Sequence, residues 1–390
     1  MKRALILDAC QRSALATTRS LGKNNVPVIT SDSEISSLAG SSRYSTAYFQ
    51  SPDPKEDSEK FIHFISNLCQ EQNIQIIYPM TELTTTLLLE NKSCFSSCVI
   101  PFPDLETVNS ISDKCELMKA AAKLSIPIPH TQHESFPPNL QFLLPELSYP
   151  IVIKPGMSWL KNNGKWFRSE VQFADTPDTL NTIINSDPAL RIHNFMLQEC
   201  VEGAGQGMFA LYNHGKAVAF FNHQRLREKP YWGGVSVLSQ SIELNHQLLT
   251  HTKALLDSVK WHGIAMVEFK VSKDGVPYLM EVNTRFWGSL QLAVDSGVDF
   301  PWLLYKLSFG ENVKEVITYK TGVRLRWLLG DLDSLYILLK DKGLPLSKKL
   351  KAILDFITPA PLSTRHEVNR ITDLNPFWWE LKRYIKDLFK

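Results

Sequence analysis

At 390 residues and 44.3 kDa the chain is longer than one ordinary core, and at about 100 to 200 residues per domain two or three are expected. Hydrophobic residues make up 44% and charged residues 21%, the balance of a folded globular protein rather than a disordered or fibrous one. A net charge of +2, from 42 basic against 40 acidic side chains, gives no overall field that draws the surface to nucleic acid, so no nucleic-acid partner is expected.

The chain enters Ala4-Leu5-Ile6-Leu7-Asp8 almost at once. This run is too short for a signal h-region and reads as a buried strand. A helix over 13–23 and a parallel strand over 26–31 follow, giving a βαβ opening, and the pattern continues with a helix over 61–70, a strand over 74–78 and a short strand at Val99-Ile100. The first domain is therefore an α/β unit over 1–110. Its first turn, Ala9-Cys10-Gln11-Arg12-Ser13, has no glycine to admit a pyrophosphate, which argues against a nicotinamide dehydrogenase.

Ser112 or Asp113 is a natural N-cap for a helix over 115–124, closed by Pro127 and Pro129, and opens a second region over 111–198. From Pro150 onward the texture is that of strands: 151–154, 195–199, 206–212, 217–223, 265–271 and 277–282. Tyr212-Asn213-His214-Gly215-Lys216 and Ser272-Lys273-Asp274-Gly275 read as hairpin turns, so a lobe over 199–320 is antiparallel. The overall class is α/β, or α+β for the whole chain. A helical, basic extension over 321–390 completes it. No run of about 18 apolar residues occurs, and the six scattered cysteines lack the pairing of a zinc site. Cys94 and Cys98 read as two buried thiols, and the expected location is cytoplasmic.

Two constellations carry chemistry. Glu268 lies in one strand of the Asp274-Gly275 hairpin; Glu281 and Asn283 end the other and, two residues apart, point to one face. Two carboxylates and an amide oxygen suit a hard cation such as magnesium beside a triphosphate. Ordinary strand-surface charge is the alternative. Arg285, in Thr284-Arg285-Phe286-Trp287-Gly288-Ser289, follows where developing phosphoryl charge would need neutralising. The second constellation is cationic: Lys114 at a helix start, and Lys154 at the end of the apolar strand 150–154. An ammonium there needs either an anionic ligand or a carboxylate side chain. Between Gly156 and Gly164, residues 157–163 are polar and glycine-flanked, either a surface loop or a flap over phosphates.

Taken in order, Ile153-Lys154-Pro155, Gln198-Glu199-Cys200-Val201-Glu202-Gly203, Val267-Glu268-Phe269 and Glu281-Val282-Asn283-Thr284-Arg285 resemble the ATP-grasp superfamily. The likeness is to its carboxylate-amine ligases with a carbamoyl-phosphate-synthase-like ATP-binding domain, and it covers most of residues 1–310. It implies an N-terminal pre-ATP-grasp domain, a small central ATP-binding lobe and a larger antiparallel lobe. It also implies ATP and magnesium as cofactors, with manganese as a substitute. By the resemblance Lys114 and Lys154 contact ATP phosphates, and the backbone around Glu199 and Val201 reads adenine at the hinge. Glu268, Glu281 and Asn283 match magnesium ligands, and Arg285 matches the arginine that steadies the transferring phosphoryl group. One departure is that Gln206 stands where a ribose-binding glutamate is common, and Glu202 is the other candidate for that role.

The reaction implied is phosphorylation of a carboxylate followed by attack of an amine, with a carboxylase or carbamoyl-phosphate-type enzyme, or a non-catalytic ATP-binding regulator, as alternatives. Arg225 and Arg227, within 222–236, suit a substrate carboxylate, though surface charge is the other reading; His223 reads as structural rather than as a base. The last helix puts Phe377, Trp378, Leu381, Tyr384, Ile385, Leu388 and Phe389 beside Lys382, Arg383, Lys386 and Lys390. Packing on the protein is its favoured use and a membrane surface the less favoured one. Oligomer formation is left open.

Overall fold

The computed structural model describes residues 1–136, 138, 148–162, 164–358 and 364–389. The chain begins with a four-stranded parallel sheet in the order β3-β2-β1-β4, made of β1 (Arg3–Ile6), β2 (Val28–Asp32), β3 (Ser45–Gln50) and β4 (Ile74–Tyr78). Its helices are α1 (Arg12–Lys23), α2 (Ser58–Glu71), α3 (Glu82–Glu90), α4 (Leu105–Ser112) and α5 (Lys114–Lys123). The expected strand at 99–100 is a single parallel bridge from Val99 to Ile76. β3 was not expected: Ser-Thr-Ala-Tyr-Phe-Gln has neither alternation nor an apolar run, because it is a half-exposed edge strand. Asp8, at the end of β1 with φ 53°, accepts from Met80 N at 2.8 Å and Thr81 N at 2.9 Å, fixing the turn that follows β4.

The central lobe is a smaller antiparallel sheet in the order β5-β10-β6-β9: β5 (Thr131–Glu134), β6 (Ile151–Pro155), β9 (Gln172–Ala174) and β10 (Phe195–Glu199). Two helices, α6 (Pro177–Ser186) and α7 (Pro188–Ile192), close its own core of Ile151, Ile153, Leu180, Ile184, Phe195 and Leu197. The glycine-flanked stretch 157–163, expected as a surface loop or a flap, contains the first strand of a hairpin, β7 (Trp159–Asn162) with β8 (Lys165–Arg168), turned through Gly164 at φ 81°. Asn163 lies outside the described residues.

The largest sheet runs β15-β14-β11-β12-β13-β16-β17. Its long strands are β11 (Ala204–Asn213), β12 (Lys216–Lys229), β13 (Val235–Ser241), β14 (Gly263–Val271) and β15 (Pro277–Asn283), all antiparallel. Alternate residues enter two cores. Met208, Ala210, Val267 and Phe269 pack with α8 (His246–Ser258) and the first sheet, whereas Phe209, Leu211, Phe221 and Met266 pack with α1, α9 (Leu290–Ser296) and α10 (Phe300–Ser308).

Beyond residue 320 the chain is not helical throughout. β16 (Arg324–Arg326) and β17 (Thr364–His366) extend the large sheet, and three residues are too few to carry a periodic signal. Between and after them come α11 (Leu328–Lys340), α12 (Leu346–Ile357) and α13 (Asn375–Leu388). The segment then returns to the first domain, where the buried Arg19 guanidinium donates to Asp373 at 2.8 Å and Arg43 N donates to the other Asp373 oxygen at 2.9 Å. The last helix packs on protein along one side: Trp379 donates to Ser36 Oγ at 2.9 Å, Tyr384 to Asp333 at 2.6 Å, and Glu380 accepts from Trp327 Nε1 at 2.7 Å. Cys94 is exposed, because the 3-10 turn Lys92–Phe95 buries Phe95 and turns its other residues outward, and Cys98, beyond that turn, is half-buried, so neither is buried as expected. No helix among the described residues is long and apolar enough to cross a membrane.

Candidate functional site

Hairpin geometry builds the acidic half of the site. β14 and β15 turn through Gly275 at φ 81°, with Gly275 N donating to Ser272 O at 3.0 Å. That turn sets Lys270 against Tyr278 and Phe269 against Leu279, and a bulge between Phe269 and Glu268 then shifts the register by one, so that Glu268 faces Glu281 and Met266 faces Asn283. Asn283 Nδ2 donates to Glu281 Oε1 at 2.9 Å, and Arg225 on β12 donates to Glu268 Oε2. Oε1 of Glu268 and Oε2 of Glu281 have no hydrogen-bond partner among the described residues. Each carboxylate thus keeps one oxygen for a ligand, and the Asn283 carbonyl adds a third hard donor. This set fits magnesium, which takes one or two carboxylates and completes its shell with water and phosphate oxygens.

The cationic half comes from the central lobe. Asp113 caps α5 by accepting from Cys115 N at 2.8 Å, and Lys114 N donates to Gly156 O at 2.8 Å, which joins the start of α5 to the end of β6. A Cβ at Gly156 would lie 3.0 Å from Asp113 Oδ2, so glycine permits this close approach. The two lysine-bearing elements are thereby fixed to one another. Lys114 Nζ reaches Ser158 Oγ at 3.3 Å, and Ser158 N reaches Glu82 Oε1 at 3.3 Å. Lys154 makes no hydrogen bond among the described residues.

Electrostatics tie the halves together. Burial drives the Lys154 ammonium down to about 8, with Glu281 resisting and Lys114 adding to the fall. Burial also pushes Glu281 up, but Lys114, the Asn283 hydrogen bond and Lys154 outweigh it, and Glu281 stays below the usual carboxylate range. Glu268 moves the other way, raised by burial against Arg225 and further by the neighbouring Glu281. For Arg225 itself, burial favours the neutral form but Glu268 and Glu228 more than offset it, so it stays charged. Burial holds His223 neutral, down to about 3, which agrees with a structural imidazole.

Among the residues expected at the hinge, Glu199 N donates to His130 O at 3.0 Å, leaving the exposed Glu199 at the end of β10, and Val201 O accepts from Lys270 Nζ at 3.0 Å. Glu202 pairs with Lys273 at 3.3 Å on the open surface. Gln206 has its Oε1 buried with no partner, an acceptor that a ligand hydroxyl would satisfy. Arg285 donates to Phe286 O at 3.0 Å and has no carboxylate partner among the described residues. Of the two arginines expected to hold a substrate, Arg225 is at the site, bridging Glu228 at 2.9 Å and Glu268. Arg227 is not brought there; it is held by Asp331, at 2.7 Å and 2.6 Å.

Sequence reasoning missed the floor. Gly203, just before β11, and Gly205 and Gly207 within it alternate along the chain, and Gly207 lies opposite Glu268. A Cβ at Gly205 would come 3.2 Å from Arg225 Cδ, and one at Gly207 2.9 Å from His223 Nε2. The alternation is legible in Gly203-Ala204-Gly205-Gln206-Gly207, where glycine lets Val271 O, Arg225 and His223 approach the backbone closely. Glu82 and Glu228 were also missed, since neither stands in a local pattern.

Comparison with known proteins bears on the fold. Residues 191–330 match the family described as "ATP-grasp in the biosynthetic pathway with Ter operon". Among solved structures the chain is similar to an L-amino acid ligase from Bacillus licheniformis, at 15% identity and TM-score 0.62, covering 80% of this chain and 75% of that one. It is similar to a biotin carboxylase from Campylobacter jejuni, at 13% and 0.63, covering 83% and 74%. It is also similar to an N5-carboxyaminoimidazole synthetase from Staphylococcus aureus, at 11% and 0.62, covering 83% and 82%. No curated protein sequence matches the chain.

Proposed function

We propose that this chain, an ATP-grasp protein by its fold, is an ATP- and magnesium-dependent ligase that converts a small carboxylate to an acyl phosphate and joins it to an amine, releasing ADP and phosphate. The observation that carries the reading is the cross-strand Glu268–Glu281 pair with Asn283, near the half-buried Lys154 and the buried Lys114.

Glu268, Glu281 and Asn283 hold the cation, and the same oxygen set would accept manganese. Magnesium bound there supplies the charge that the phosphates need at the transition state. Lys114 and Lys154 bind phosphate oxygens, the backbone at Glu199 and Val201 binds adenine, and Gln206 rather than the solvent-paired Glu202 meets the ribose. Arg285 neutralises charge as the carboxylate oxygen attacks the γ-phosphorus and the bond to the departing ADP oxygen breaks. The amine nitrogen then attacks the acyl carbon, phosphate leaves, and the nitrogen loses a proton. Positioning and charge, not a nucleophilic side chain, carry the chemistry. Arg225 positions Glu268 and has the better placement of the two arginines toward a substrate carboxylate.

The test is ADP release with ATP and magnesium against a panel of amino acids, small carboxylates and bicarbonate, in parallel with Glu281→Ala. Bicarbonate belongs in the panel because two structural neighbours are a carboxylase and a carboxyamino-imidazole synthetase. The reading expects an organic carboxylate with an amine to stimulate release in the wild type only. Stimulation by bicarbonate alone would replace it with the carboxylase reading, and ATP binding without stimulated turnover by any acceptor would favour the regulatory one.

A further inference from the structure

The helix α12 is built inside out. Leu346, Leu350, Leu354 and Ile357 recur at spacings of four, four and three, which places them along one line of the helix, and they are 70%, 52%, 58% and 64% exposed. No residue of α12 is buried. The helix rests on the protein through its other side, where Phe356 sits under the Arg326 guanidinium at 4.3 Å and Phe356 O accepts from Arg326 at 3.1 Å. A soluble amphipathic helix turns such a stripe inward; this one presents about 16 Å of it to the outside.

Charge identifies what covers it. Residues 340–358 hold five lysines, Lys340, Lys342, Lys348, Lys349 and Lys351, against Asp341 and Asp355, a local +3 in a chain whose total is +2. Asp341 is itself tied down, accepting from Gly343 N at 2.7 Å and from the Tyr231 hydroxyl. Lys348 and Lys351 are exposed; at 3.6 residues per turn Lys351 lies on the flank of the stripe and Lys348 on the polar side opposite it. We propose that α12 is a surface anchor for an anionic lipid bilayer. Its leucines and isoleucine enter the boundary between headgroups and acyl chains, and its lysines meet lipid phosphates. A second copy of this chain fits less well, because a symmetric contact would set these lysines against their own images, and lysine is depleted from interface cores. The last helix α13, joined to α11 by Tyr384 and Asp333, leaves Trp378, Ile385 and Leu388 exposed, with Lys382 and Lys386 also exposed, and repeats the same chemistry.

The test is co-sedimentation of the full chain with phosphatidylglycerol-containing vesicles and with pure phosphatidylcholine vesicles. The wild type, Leu350→Glu/Leu354→Glu and Lys348→Glu/Lys351→Glu are compared, with circular dichroism to check folding and light scattering to follow oligomers. The expected result is binding to the anionic vesicles that falls at least tenfold in each variant and weakens as salt is raised. Absence of binding to anionic vesicles, or binding that both folded variants retain, would overturn the proposal. So would a dimer that Leu350→Glu/Leu354→Glu dissolves with no lipid binding in the wild type, which would assign the face to a second copy.

Discussion

Two arginines only two residues apart on β12 meet carboxylates in opposite ways. Arg227 gives two hydrogen bonds to Asp331, 2.7 Å and 2.6 Å, and Arg326 gives that carboxylate a third at 2.6 Å; Asp331 is 1% exposed. Every oxygen there is used, and the cluster fastens α11 to the sheet. Arg225 joins Glu228 and Glu268, yet Glu268 and Glu281 each keep an oxygen and Lys154 keeps its whole ammonium, all close to buried. Burying charge without complete pairing costs several kcal/mol, so an unsaturated cluster is reasonable only where a ligand completes it. The contrast separates a structural ion pair from a binding site on the same strand.

The largest expected effect is on the unsaturated side. Arg285→Ala should lower turnover about a thousandfold, since an arginine that stabilises phosphoryl transfer is worth 10³ to 10⁵, while the Kd for ATP changes less than about threefold; steady-state kinetics with calorimetry would measure both. Next comes the saturated side. Asp331→Ala leaves Arg227 and Arg326 facing one another and should cost about 3 kcal/mol of stability by urea unfolding, with ATP affinity of the folded protein unchanged. If Asp331→Ala instead removed ATP binding, the division between the two clusters would fail.

The third prediction concerns pH. Lys154 has a pKa of about 8 in the fold against 10.5 when unperturbed, so between those values the unfolded chain holds a proton that the folded chain has released. Stability contributed by this group therefore rises with pH across that window, whereas phosphate affinity of the free protein falls, by about tenfold per pH unit above 8. Opposed slopes in urea midpoint and ATP affinity, both flattened in Lys154→Met, are the expected signature. Smallest is Gln206→Ala, which should weaken ATP by about 1 kcal/mol through a lost hydrogen bond and leave a 2′- or 3′-deoxy analogue unaffected.

Much of this was readable before the structure. β4 and β10 match the expected strands residue for residue, since each is a short apolar run bounded by turn signals. The Asp274-Gly275 turn was enough to put Glu268 and Glu281 on neighbouring strands of one hairpin, but the bulge between Glu268 and Phe269 that sets them opposite one another was not readable, since the turn's own register would have placed Glu268 against Met280. Long-range partners were not readable. Asp331 lies 104 residues from Arg227, and nothing local distinguishes Arg227 from Arg225. Arg19 looks like a surface residue of α1 until Asp373, 354 residues later, buries it. Periodicity likewise marks the stripe on α12 but not its direction, which depends on what else packs against the sheet.

The most direct test of the central claim needs no knowledge of the substrate: calorimetric titration of ATP into the wild type and Glu281→Ala, each with and without magnesium. The account predicts magnesium-dependent binding in the wild type, weakened at least about tenfold in a variant that remains folded. No heat in the wild type, or equal binding in both proteins, would contradict it.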